Sequence, residues 1–93
     1  SELVRRQWGF YEVLAERMNF KIKRLIVNPH STTSLQRHRH RTEHWIAADG
    51  SWSERHLAGE THQLRNDGAA PLEVIEVQTG IYFGEDDIER FAE

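Results

Sequence analysis

An all-β barrel or sandwich is the fold class that this 93-residue sequence predicts. Short segments rich in β-branched and aromatic residues recur along the chain, a composition that suits a pleated, half-buried surface. Turn signals separate them, among them Asn28-Pro29, Asp49-Gly50 and Asn66-Asp67-Gly68. Helical periodicity is confined to a few residues near the end.

Taken in order, Arg6-Gln7-Trp8-Gly9 leads into an aromatic and β-branched strand over 10–14. Trp8 either covers one end of the barrel or packs in its core. FKIKRLIV at 20–27 alternates and then turns continuously apolar, as expected of a strand buried more deeply at its far end; Lys21 and Lys23 share one of its faces. Asn28-Pro29 ends it, because Pro cannot donate to a ladder. Residues 31–33 form a polar connector into QRHRHRTEHWIAADG at 36–50, the stretch around which the chain is organised. In extended backbone its side chains alternate between faces, so Gln36, His38 and His40 share one face and Arg37, Arg39 and Arg41 the other. Glu43 breaks that parity, and the backbone must kink before its carboxylate can join the same cluster. A short strand over 44–48 ends at Asp49-Gly50. The clearest strand, 72–79, follows Pro71 and puts Leu72, Val74, Glu76 and Gln78 on one face, with Glu73, Ile75 and Val77 on the other. Glu85-Asp86-Asp87 ahead of Ile88 and Phe91 predicts a short C-terminal helix, acids being favoured in a first turn.

The chain, 1–93, reads as one domain with room for one core. Hydrophobic residues at 38% and charged residues at 29% are a soluble globular balance. A net charge of −3 argues against a general nucleic-acid binder. Six His at this length are unusual and would move that charge as the pH falls towards about 6. With no Cys, any metal must be held by nitrogen and oxygen. SELVRRQWGF has no apolar leader core and no apolar run reaches membrane-spanning length, so a cytoplasmic protein without a membrane partner is expected.

Imidazole and carboxylate groups gathered on a strand suit a first-row divalent metal. The competing reading of RHRHR is a solvated basic edge strand. A second cluster, Gly59-Glu60-Thr61-His62 with Asn66 four residues after the His, makes the pattern specific. Glu43, six residues and Gly50 resemble the second half of the first cupin motif. Gly59, two residues, His62, three residues and Asn66 resemble the second cupin motif. Counting back from Glu43 at the spacing of the first motif gives Gln36 and His38, and a Gln in that first position is similar to what phosphomannose isomerases use. SLQ at 34–36, HRTEHW at 40–45, IEVQTG at 75–80 and GEDDIERF at 84–91 resemble the cupin domain of type II mannose-6-phosphate isomerases, a likeness that covers most of the chain.

The resemblance implies a cupin-type, jelly-roll-like β-barrel. The chain departs from it at Gln7 (usually Pro), His30 (usually Gly) and Leu57 (usually Pro). It also lacks roughly a dozen residues, about one hairpin, between the two motifs. Open edges left by that shortening would be covered by homodimerisation.

The resemblance further implies a metal held by Gln36, His38, Glu43 and His62, most readily Zn²⁺, with Mn²⁺, Fe²⁺, Co²⁺ and Ni²⁺ also suited. A polar interior closed by hydrogen bonds among these groups is the alternative. His40 is either a substitute for Gln36 or an orienting neighbour of the ligands. The implied reaction, mannose 6-phosphate to fructose 6-phosphate, moves a proton between C1 and C2 and needs a Lewis acid, a base tuned near neutrality and cations for the phosphate. His40, His44 and Glu76 are the candidate bases; Lys23, Arg6 and Arg90 are the candidate phosphate ligands, each of which could equally be a surface charge. Two other functions stay open: a non-catalytic cupin that binds a metal or sugar, and a metal-dependent cupin oxygenase. In type II enzymes this domain usually follows a nucleotidyltransferase, and no Gly-rich nucleotide loop lies within these residues.

Overall fold

Residues 2–91 are described by the structure, a computed structural model. In chain order the strands are β1 (Glu2–Arg6), β2 (Gly9–Glu16), β3 (Phe20–Val27), β4 (Ser31–Thr32), β5 (Leu35–Arg37), β6 (Arg41–Ala47), β7 (Ser53–His56), β8 (Arg65–Asn66), β9 (Leu72–Gly80) and β10 (Glu89–Phe91). One antiparallel sheet runs β1-β2-β3-β9-β6-β7, leaving β1 and β7 as its edges. Two short antiparallel pairs, β4 with β8 and β5 with β10, complete the fold. Between them Gln36 and His62 exchange backbone hydrogen bonds of 2.9 and 2.7 Å, so the organising strand and the second motif are joined directly. The fold is all-β, as its alternating strands predict.

Register across the large sheet turns sequence alternation into rows, because directly opposed residues share a face. Leu25 lies between Tyr11 and Val74, and Val74 faces Ala47 beyond it: an apolar row. The next row along the inner face runs Val13, Lys23, Glu76, Trp45. The following one runs Lys21, Gln78, Glu43, His56. One end of the inner face is therefore an oily core and the other a layer of buried charge. Tyr11, Leu25, Val27, Trp45, Leu64 and Val74 form the core, with Trp8 packed against it. Burying such apolar side chains contributes about 1.5–3 kcal/mol each, and it holds the sheet against which the charged rows are fixed.

Local chemistry sets the connections. Asn66 donates through Nδ2 to the carbonyls of Val27, Asn28 and Ala70 and accepts from the Gly68 amide, pinning the turn after β8 to the end of β3. His30 adopts a left-handed φ of 55°, a conformation that favours Gly. At Gly80 any Cβ would stand 2.4 Å from the His40 carbonyl, so the loop carrying His40 packs on bare backbone.

Two expectations change. The short helix expected near the C-terminus is not formed among the described residues, and residues 89–91 pair with β5 instead. The acids that suggested a first turn have tertiary partners. Asp87 accepts from the amides of Arg39 and His40 at 2.9 and 3.0 Å, and Glu89 binds the guanidinium groups of Arg37 and Arg39. The second change concerns parity in RHRHR. Alternation holds through His38, then a bend at 39–40 turns Arg41 inward with Glu43 and leaves His40 exposed. This is the kink that Glu43 required.

Candidate metal centre

The inner face of β6 presents Arg41, Glu43 and Trp45, all buried. β5 delivers Gln36 and the residue just past it, His38, while the Gln36–His62 bridge brings in the imidazole from the second motif. Glu43 Oε2 lies 3.2 Å from His38 Nε2, and Glu43 Oε1 lies 3.0 Å from His62 Nε2. The three side chains are 2–6% exposed, and their donor atoms lie within 4.8 Å of one another.

The other ring nitrogen of each imidazole meets a backbone carbonyl. His38 Nδ1 lies 2.5 Å from the Asp87 carbonyl and His62 Nδ1 lies 3.4 Å from that of Glu60. A carbonyl only accepts, so His62 Nδ1 carries a proton; His38 Nδ1 stands between the Asp87 carbonyl and Arg41 Nη2, a donor 3.0 Å away, and Nε2 of both rings faces Glu43. Lone pairs facing a carboxylate repel unless a proton or a metal ion lies between them. Glu43 Oε1 is buried without an aligned hydrogen bond, as are Arg41 Nε and Gln78 Oε1 beside it. Imidazoles oriented by backbone carbonyls and converging on a carboxylate are a donor set that could hold a divalent ion.

Electrostatics agree. Burial pushes the Glu43 pKa up, but hydrogen bonds and charge from His38 and His62 outweigh it and hold the carboxyl well below the usual range. Burial lowers the His62 pKa, yet the facing Glu43 raises it overall. Metal uptake would therefore displace a proton.

Glu76 differs from Glu43 although both carboxyls are buried. Burial, with the negative charge of Glu43 adding, raises its pKa to about 7, against the opposing effect of Lys23. Trp45 Nε1 donates to its Oε2 at 2.9 Å, and Gln78 Nε2 donates to its Oε1 at 2.6 Å while also reaching Glu43 Oε2 at 3.3 Å. One amide thus spaces the two carboxyls.

A cavity of about 520 Å³ takes in Gln36, His38, Glu43, His62 and Glu76 together with Lys23, Arg6 and Arg90. Gln36 Nε2 is held by the carbonyl and hydroxyl of Ser34 at 3.2 and 3.3 Å. Of the sequence-derived candidates, His40 and His44 do not line this cavity. His40 is exposed at the bend beside Tyr82, and His44 stands on the face of β6 opposite Glu43. Four participants were not singled out from sequence: Arg41, 3.5 Å from Glu43; Asp87, whose carbonyl orients His38; Gln78; and His56, whose ring lies 5.0 Å from that of His62. Gln78 sits at the same parity as Glu76, which was the available signal.

Comparison with known proteins decides the family. All 93 residues match the family described as mannose-6-phosphate isomerase C-terminal. The chain belongs to this family. Among curated relatives, xanthan biosynthesis protein XanB of Xanthomonas campestris pv. campestris (strain B100) is 44% identical over 103 aligned positions that take in 95% of this chain and 22% of XanB. Mannose-1-phosphate guanylyltransferase of Escherichia coli K12 is 37% identical, covering 97% of this chain and 22% of its own length. This member of the family thus spans about one fifth of such relatives. The XanB alignment is longer than the chain itself, so XanB has positions within it that the chain lacks, in keeping with the shortening read from the motif spacing. In fold, the chain resembles capsular polysaccharide assembling protein CapF from Staphylococcus aureus, with a TM-score of 0.69 at 9% identity over 99% of this chain and 34% of that one. It also resembles a double-stranded β-helix protein from Klebsiella pneumoniae, with a TM-score of 0.61 at 14% identity over 99% and 86% of the two chains. The cupin-type barrel is the fold of this domain, and among the described residues no helix is long and apolar enough to cross a membrane.

The Glu76 environment predicts a pH signature in metal-free protein. Its pKa is raised above the unfolded value, so the folded state holds a proton that the unfolded chain has lost between about 4.5 and 7. Stability then falls as pH rises through that window, by up to about 1.4 kcal/mol per pH unit. His62 contributes in the same direction, so the comparison that isolates Glu76 is with Glu76→Gln, which should flatten the slope. Urea unfolding across the window measures it, and equal slopes for the two proteins would reject a protonated buried Glu76.

Proposed function

We propose that this domain is a metal-dependent aldose–ketose isomerase acting on a sugar phosphate, mannose 6-phosphate and fructose 6-phosphate, in the cytoplasm. The observation that carries the proposal is the placement of Glu76, poised near neutrality, in the same cavity as the His38–Glu43–His62 set. In this reading His38, Glu43 and His62 hold a divalent metal, Zn²⁺ or another first-row ion, with Gln36 as the fourth donor through Oε1, since Ser34 occupies its Nε2. Bound there, the metal would polarise the substrate carbonyl and steady the charge of an enediolate.

The other roles fall to the chain's own side chains. Glu76 takes the proton from C2 and returns it at C1, with Trp45 Nε1 and Gln78 Nε2 fixing both carboxyl oxygens. A pKa near 7 suits a group that must both accept and donate at neutral pH. Lys23, deep on β3, and Arg6 and Arg90, exposed where they line the cavity, take the phosphate end. The family description supports this assignment, and the relatives that share the domain are named for sugar-nucleotide and polysaccharide synthesis. A binding role without turnover is the second reading, favoured by the alignment to XanB having more positions than this chain has residues.

A coupled assay for mannose 6-phosphate conversion, with and without added Zn²⁺, tests the proposal. Turnover is expected with metal, and Glu76→Gln should lower kcat by about 10²–10⁴-fold. A folded, metal-loaded protein with no turnover would leave the binding role. Homodimerisation along β1 or β7 belongs to the same proposal. A monomeric mass in light scattering at micromolar concentration would strike it out.

A further inference from the structure

Three carboxylates line the cavity, Glu43, Glu76 and Glu85, and the functional reading uses only the first two. Glu85 lies in the loop between β9 and β10, directly after Gly84, and its side chain is 50% exposed. Its Oε2 lies 3.1 Å from Lys23 Nζ, and its Oε1 accepts a hydrogen bond from the Tyr11 hydroxyl at 3.3 Å. The partners are anything but exposed. The Lys23 side chain is 7% exposed on β3, held between β2 and β9, with its ammonium 4.3 Å from the centre of the Tyr11 ring. Lys23 and Tyr11 are thus parts of the rigid sheet, whereas Glu85 reaches them from a half-exposed loop.

A buried ammonium without an anion is costly, because its lost hydration is not replaced. Glu76, opposite Lys23 in the sheet, feels its charge at longer range, and the close ion pair of Lys23 is with Glu85. Glu43 is committed to two imidazoles and Arg41, and Glu76 is bound by Trp45 and Gln78. Glu85 is therefore the anion on which the Lys23–Tyr11 pair relies. A phosphate would bring charge of the same sign, and more acceptor oxygens, to one ammonium and one phenol donor.

We propose that Glu85 is an internal occupant of an anion subsite formed by Lys23 and Tyr11, and that it must leave for the phosphate of a ligand to bind. The position of the subsite follows from the ion pair, while the identity of the ligand as a sugar phosphate rests on the isomerase reading. Electrostatics support an anion there. Burial raises the Glu85 pKa, but Lys23, with Arg41 and Lys21 adding, brings it below the usual carboxylate value. Burial and the negative charge of Glu85 push the Tyr11 hydroxyl up to about 12, so it remains a donor.

Calorimetric titration with inorganic phosphate at fixed pH and ionic strength tests the proposal on the whole chain. Removing a competitor that fills the subsite about nine-tenths of the time tightens phosphate binding about tenfold. Glu85→Gln should do so, and Lys23→Met should abolish binding in both backgrounds. Should circular dichroism show that Glu85→Gln is misfolded, Glu85→Asp, one methylene short of Lys23, serves in its place and should tighten binding in the same way. Unchanged or weaker phosphate binding in a folded Glu85 variant would overturn the proposal and make Glu85 a structural counter-ion. The two readings fail separately. Tighter phosphate binding without isomerase turnover would reject only the activity, and turnover with unaltered phosphate affinity would reject only the role of Glu85.

Discussion

The Glu43 carboxylate, 2% exposed, faces His38 Nε2 across 3.2 Å and His62 Nε2 across 3.0 Å, and much of the remaining structure keeps these groups in place. A carboxylate buried at that depth is tolerated only when its charge is matched. Here the match comes from two imidazoles whose outer nitrogens are tied to backbone carbonyls, and from Arg41 on the same strand. Asp87 links the two ends of this arrangement. Its carbonyl orients His38 while its carboxylate caps the amides of Arg39 and Arg39's neighbour His40 at the bend. Without that bend Arg41 and Glu43 could not point inward in the strand that follows His38.

The same constraint explains why a domain with a small apolar core carries so many buried ionisable groups. Antiparallel register sorts them. Moving two residues along β3, β9 and β6 passes from Leu25, Val74 and Ala47 to Lys23, Glu76 and Trp45, and then to Lys21, Gln78 and Glu43. The apolar row anchors the sheet, and the polar rows place acids and bases at fixed spacing. Glu43 and Glu76 illustrate the result: imidazoles depress one carboxyl, while burial beside the first raises the other. Groups whose environments drive their protonation apart are suited to separate roles, one holding a cation and one exchanging a proton.

Much of this was legible in the residues. Period-two alternation in FKIKRLIV and in LEVIEVQT put Lys21 with Lys23 on one face of β3 and Val74, Glu76 and Gln78 on one face of β9, because strand parity needs no knowledge of the partner strand; which face turns inward does need it. Motif spacing gathered Gln36, His38, Glu43 and His62 along one cavity. Long-range partners were not legible. The run Glu85-Asp86-Asp87 has the composition of a helix start, but Asp87 is held by the amides of Arg39 and His40, from a distant part of the chain. His40 looked equivalent to His38 until the bend separated them, and His44 falls on the outer parity of β6. Arg41, His56 and Glu85 gain their meaning only from packing between distant segments, for which a single sequence carries no local signal.

The central claim is that His38, Glu43 and His62 form one cation site. Anomalous diffraction from crystals soaked in Zn²⁺ or Co²⁺ tests it most directly. One strong peak is expected within about 2.0–2.2 Å of both Nε2 atoms and a Glu43 oxygen, and it should vanish in His62→Ala. A peak elsewhere, or one that survives that substitution at full occupancy, would contradict the account.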